Sequence, residues 1–140
     1  MNINIRSIKA FSEISDLNLK IIESEAEYLK YSLGYPICNN QLIPNKIQII
    51  ISGEVRFLYG TSQKAVTISK LGSDNFIGLS SLLRAKGCES FSASSDVVTL
   101  ALSDNLILKL YKEEKSFRQW CNTYIQIGEV RRSVSVSDGQ

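Results

Sequence analysis

Three cysteines and no histidine set the outer limits on the chemistry available to this chain. Cys38, Cys88 and Cys121 are odd in number, lie far apart and form no C-x-x-C pair. Without histidine there is no standard zinc-ligand pattern and the commonest general base is missing. A cysteine nucleophile needs a neighbour that lowers its pKa. Cys88 instead precedes Glu89, a carboxylate that would hold the thiol proton in place. Glu113 and Glu114 read as the start of a helix, not as an acid–base pair. No G-x-x-x-x-G-K-[ST] run occurs, so a P-loop is excluded. The reading is therefore non-enzymatic, with no catalytic residue, no metal and no cofactor. Free, buried thiols suit a reducing compartment, and a cytoplasmic location is expected.

At 140 residues the chain has the size of one domain, and 44% apolar with 21% charged residues is ordinary for a globular one. No apolar run of about 18 residues exists, and no apolar segment follows a basic start at the N-terminus. The net charge is +2, with basic residues scattered except for Arg131-Arg132. Neither a nucleic-acid stripe nor a basic membrane face is expected from that distribution.

From Asp16 onward, Leu17, Leu19, Ile21, Ile22, Ala26 and Leu29 recur at helical spacing, with Ser15 or Asp16 as the cap. The longest helix is expected within residues 12–34. A shorter helix and a turn precede it over residues 5–11. Beyond Gly34 the period changes to two. Tyr31, Leu33, Tyr35 and Ile37 alternate, and strands are expected at 47–51, 55–59 and 65–68, with turns at 52–54 and 60–63. Further strands are read at 92–102 and 106–111. The C-terminal part returns to helix, with Phe117, Trp120, Cys121, Tyr124 and Ile125 on one face. That face should pack on its own barrel; the alternative use is a homodimer seam. Short strands punctuated by turns about every ten residues, between helical ends, give an α+β class. The expectation is a mainly antiparallel β-roll or jelly-roll barrel flanked by N- and C-terminal helices. It occupies residues 1–130, and residues 131–140 form a frayed or truncated tail.

Three segments in this order resemble the cyclic-nucleotide-binding domain of catabolite-regulator proteins, kinase regulatory subunits and gated channels. Phe11-Ser12-Glu13-Ile14-Ser15-Asp16 is similar to the family's entry turn into its first helix. Ile49-Ile50-Ile51-Ser52-Gly53-Glu54-Val55 is similar to its strand-Gly-x-Val hairpin. Leu71-Gly72-Ser73-Asp74-Asn75-Phe76-Ile77-Gly78, leading into Ser80-Ser81-Leu82-Leu83, resembles the start of its phosphate-binding cassette. The resemblance covers the chain from about residue 8 to residue 118. It implies a ligand-binding set of Gly78, Leu79, Ser80, Ser81 and Ser90. In such a cassette the glycine lets the backbone approach the ligand, and the helix that follows aims N–H groups at an anion.

Two departures alter what the resemblance implies. The family's ribose-holding Glu corresponds to Leu79, whose side chain cannot accept a hydrogen bond. The family's phosphate-pairing Arg falls within residues 87–89, where Gly87, Cys88 and Glu89 stand and none is basic. Losing a buried charge-assisted bond costs about 2–5 kcal/mol, so a cyclic nucleotide or a small anion is expected to bind only weakly. Arg84 and Lys86 are the nearest cations, read as a solvated loop. The run from Gly78 to Glu89 also resembles a variant cassette preceding toxin-secretion-type ABC exporters of cyanobacteria. It implies a regulatory domain covalently linked to an ATP-driven transporter or other effector. The alternative is the sensor domain of a catabolite-regulator-like transcription factor, its DNA-binding part lying outside this chain.

Overall fold

The computed structural model describes residues 3–59 and 66–138. Two 3-10 turns, Ile5–Ser7 and Lys9–Phe11, lead into helix α1, Asp16–Glu25. Strands β1 Glu27–Tyr31, β2 Pro36–Cys38, β3 Lys46–Ser52, β4 Val55–Tyr59, β5 Val66–Leu71 and β6 Phe76–Ile77 follow. After them come α2 Leu79–Leu83, β7 Ser90–Ala93, β8 Val97–Ser103, α3 Asp104–Glu113 and α4 Lys115–Asp138. The strands form two antiparallel four-stranded sheets, ordered β1-β8-β3-β6 and β2-β7-β4-β5. This is the expected α+β β-roll with helices at both ends.

Strand β3 shows why the roll holds. It is central in its sheet and covered on both faces, so its residues read as a nearly continuous apolar run. Ile47 and Ile49 join the helix-side core with Phe11, Ile22, Ile107, Leu110 and Phe117. Ile50 joins a second core between the sheets with Val55, Ile77, Phe91 and Val97. Gln48, the interruption in that run, is buried and satisfied: its Oε1 accepts from Thr99 Oγ1 at 2.6 Å and Tyr31 Oη at 2.9 Å. The stripe on α4 packs on its own barrel as expected. Phe117, Cys121 and Ile125 are buried, and Trp120 and Tyr124 lie against the same core.

Several segments differ from the sequence reading: the alternation at 31–37 is broken between β1 and β2, and Glu113 ends α3 where a helix start was expected. α1 ends at Glu25, with Ala26 already extended at ψ 134°. Leu29 keeps the helical spacing, yet it sits in β1 opposite Thr99, because Tyr28 and Tyr31 favour a strand and β8 supplies a partner. The segment 92–102 is two strands, β7 and β8, separated by a turn. The expected strand at 106–111 is instead helix α3. Ser103 Oγ caps it by accepting from Leu106 N at 3.1 Å, and Leu106, Ile107 and Leu110 are its buried side. Leucines and isoleucine in that stretch satisfy both periods, and the cap decides between them. The longest helix is therefore α4, at 24 residues, not the one within 12–34. It runs to Asp138, through most of the segment expected as a tail. The turn expected at 60–63 lies outside the described residues.

A polar clasp fixes the helices to one another. Glu114, between α3 and α4, accepts from Ser15 N at 3.2 Å, Ser15 Oγ at 2.8 Å and Asn18 Nδ2 at 2.6 Å. Asn18 is buried and accepts in turn from Lys109 Nζ at 3.0 Å. Burial pushes the Glu114 carboxyl up, but the bonds from Asn18 and Ser15 outweigh it, so the group titrates below the ordinary carboxylate range. A carboxyl lowered by folding stabilises above its unfolded pKa, and that contribution disappears as pH falls through the folded value. The stability difference between wild type and Glu114→Gln should therefore be present at neutral pH and shrink in acid, read from urea midpoints across the acid limb.

The β3–β4 hairpin yields a second expectation. Gly53 has φ +90°, and a Cβ there would lie 2.1 Å from the Asp96 carbonyl oxygen. Gly53→Ala combines left-handed strain with a backbone clash. It should destabilise by about 2 kcal/mol or more, as a lower denaturant midpoint at unchanged slope.

Candidate functional site

The cassette segment is built around Gly78, which caps α2 at φ +91°. A Cβ there would meet Pro44 Cγ at 2.6 Å, so glycine is required by packing as well as by conformation. Of the residues that follow, Leu79 is fully buried in the helix-side core with Ile47 and does not line the cavity beside the cassette. Ser80 is half-buried and faces two adjoining cavities. Ser81 is fully buried and sits at the centre of a compact network.

That network is the main feature of the site. Glu89, only 6% exposed, places Oε1 2.8 Å from Ser81 N and 3.1 Å from Ser81 Oγ. Ser81 Oγ also accepts from Cys88 N at 3.1 Å. The Glu89 carboxylate thus takes up the Ser81 N–H that an anionic ligand would use. Both bonds satisfy polar groups that would otherwise be buried without partners. Ser90, grouped by resemblance with the ligand-binding residues, accepts from Asn40 N at 3.0 Å and so ties the 39–45 loop to β7.

Beside this network lies a cavity of about 240 Å³. Phe57 and Phe91 stack in its wall, centroids 5.1 Å apart at 25°, next to Ser69 and Leu71. The cassette contributes Asn75, Ser80 and Glu89. Helix α4 closes the cavity with Tyr124, Ile127, Gly128 and Glu129. Two of these lining residues are acidic, and among the described residues that line it none is Lys or Arg. Arg84 stands outside, bound to Glu129 Oε1 at 2.6 Å, and shares the neighbouring cavity with Lys86. Arg84 therefore ties α2 to α4 at the rim and does not reach inward to replace the missing cation.

α4 also fixes the cassette from the other side. Tyr124 Oη accepts from Phe76 N at 3.0 Å, and its ring stacks on Trp120 at 4.8 Å and 14°. The part of α4 beyond Tyr124, and Asn75 opposite it, were not among the expected site residues. The apolar stripe locates the helix but does not show that its next turn roofs a cavity. Burial, then the Glu89 charge, pushes Cys38 up to about 12, and burial alone does the same for Cys121. Among the described residues no group of histidine, cysteine and carboxylate side chains could hold a metal ion. Among them, too, no helix is long and apolar enough to cross a membrane.

No protein-family model matches the sequence, and no curated protein matches it. Solved structures do match in shape. The catabolite activator protein of Thermus thermophilus superposes with TM-score 0.70 over 92% of this chain, at 21% identity. The chain spans 61% of that activator's length. The sensor domain of the transcriptional regulator DNR from Pseudomonas aeruginosa gives TM-score 0.74 at 11% identity, covering 91% of this chain and 87% of that one. A regulatory subunit of a cAMP-independent protein kinase A from Trypanosoma cruzi, bound to guanosine, gives 0.64 at 13% identity. It covers 87% of this chain, which spans 47% of it. The chain shares with them the fold of the cyclic-nucleotide-binding domain.

The Ser81 network is directly testable by removing one oxygen. Ser81→Ala takes a donor from Glu89 and an acceptor from the Cys88 N–H. A buried group left without its partner costs about 1–3 kcal/mol, and urea denaturation of the variant should show a loss of that size. A change within a few tenths would mean that the network does not hold α2.

Proposed function

We propose that this chain is a non-catalytic regulatory domain of the cyclic-nucleotide-binding type in which a protein carboxylate has replaced the cyclic phosphate at the cassette. The observation that supports it is the Glu89 carboxylate on Ser81 N and Oγ. A cyclic phosphate brought to the same N–H would meet that negative charge without an Arg to compensate. The cassette is thus degenerate for its usual ligand while the cavity beside it persists. The covalent partner in this reading is an effector such as a toxin-secretion-type ATP-driven exporter, as the 78–89 run suggests by resemblance. The likeness to an activator and to a regulator's sensor domain favours a second reading, the sensor of a transcription factor. In both readings the domain signals and does not catalyse.

Calorimetry of the chain with cAMP and cGMP tests the cassette. Millimolar affinity or no heat is expected. Glu89→Gln keeps an oxygen on Ser81 but removes the charge, and it should raise cyclic-nucleotide affinity roughly tenfold. Micromolar binding by the unmodified chain would contradict the reading.

A further inference from the structure

Helix α4 changes character at Gly128. Up to that point it is anchored: Phe117, Cys121 and Ile125 are buried, and Tyr124 Oη accepts from Phe76 N at 3.0 Å. Neither conformation nor packing requires glycine at 128. Its backbone is helical, and a Cβ there would meet nothing within 4 Å. Glycine in a helix interior is nonetheless weaker than alanine. The turns beyond it are poor in helix formers, since Val134 and Val136 alternate there with Ser133, Ser135 and Ser137. The helix still continues to Asp138. A segment as short as 128–138 does not hold a helix by itself in water, so attachment to the rest of the domain has to supply the difference. Among the described side chains that attachment is the Glu129–Arg84 pair at 2.6 Å, each side chain more than a third exposed.

We propose that α4 is built of two parts, an anchored helix up to Ile125 and a conditional helix from Gly128 to Asp138. The second part forms while Glu129 is clipped to Arg84, and it melts as a unit when that pair breaks. Ile127, Gly128 and Glu129 line the cavity beside the cassette, so melting takes away part of its wall. The result is an order–disorder gate governed by one rim ion pair. Because the pair is exposed, salt screens it and loosens the gate. This device goes beyond the regulatory reading and holds whatever the cavity takes.

Amide hydrogen exchange of the whole chain, resolved by residue with NMR, tests the proposal where exchange tracks the open population. Amides beyond Gly128 should share one protection factor, separated by a step from the slow amides of 117–125. Gly128→Ala should raise that shared protection about fivefold and leave 117–125 unchanged. Glu129→Gln should lower it about twofold or more. Molar potassium chloride should lower it in the unmodified chain but not in that variant. Protection falling smoothly toward Asp138, with no step, is ordinary end fraying and would overturn the proposal. Unchanged protection in Gly128→Ala would overturn the break point, and unchanged protection in Glu129→Gln would overturn the latch. No ligand enters the measurement, so each of these outcomes leaves the cassette reading where it stands.

Discussion

A carboxylate buried against a backbone N–H and a serine hydroxyl is the constraint around which this domain is arranged. Glu89 is expensive to bury, and the structure keeps it charged-compatible by giving Oε1 two donors from one residue, Ser81. Ser81 in turn holds the Cys88 N–H, so one side chain ties the start of α2 to the chain just before β7. The closeness of these groups leaves little room for another anion at the Ser81 N–H. What looks like a ligand site by outline is, at that atom, already occupied by the protein.

The rest of the site follows from this. With α2 fixed from below, Gly78 turns against Pro44 and Leu79 goes into the core with Ile47. Ser80 is left as the α2 hydroxyl at the cavity wall. From above, α4 bonds the backbone of Phe76 through Tyr124 and clips Arg84 through Glu129. The cavity is therefore bounded by elements that are tied to one another, and its acidic side chains also hold the structure. The same α4 side chains, Tyr124 and Glu129, both bond the cassette segment and line the cavity.

Much of the roll was legible in the sequence because its signals were local. The run at 47–51, the Gly53 turn and the stripe on α4 each carry one period or one backbone demand. Two of the misread segments had two valid periods. Leu29 fits a helix face and a strand, and its choice depends on β8, some seventy residues away. Leu106 to Leu110 fits both periods, and the Ser103 cap was the local signal that could have separated them. The glycine and serines of the 78–83 segment marked it by resemblance, but the direction of each side chain depends on tertiary packing. Leu79 turned to the core and Ser90 to the loop at Asn40, neither of which spacing can show. Glu89 was legible as a charge hostile to phosphate. Its bond to Ser81, eight residues back, was not.

The Ser81 amide reports most directly on its bond to Glu89. Its proton resonance, followed by two-dimensional nitrogen–proton NMR as the chain is acidified, should lie downfield at neutral pH, as for an amide bonded to a carboxylate. It should move in step with the side-chain carboxyl carbon of Glu89 as that group takes up its proton. An amide that ignores Glu89 protonation would contradict the claim that a protein carboxylate occupies the anion position of this cassette.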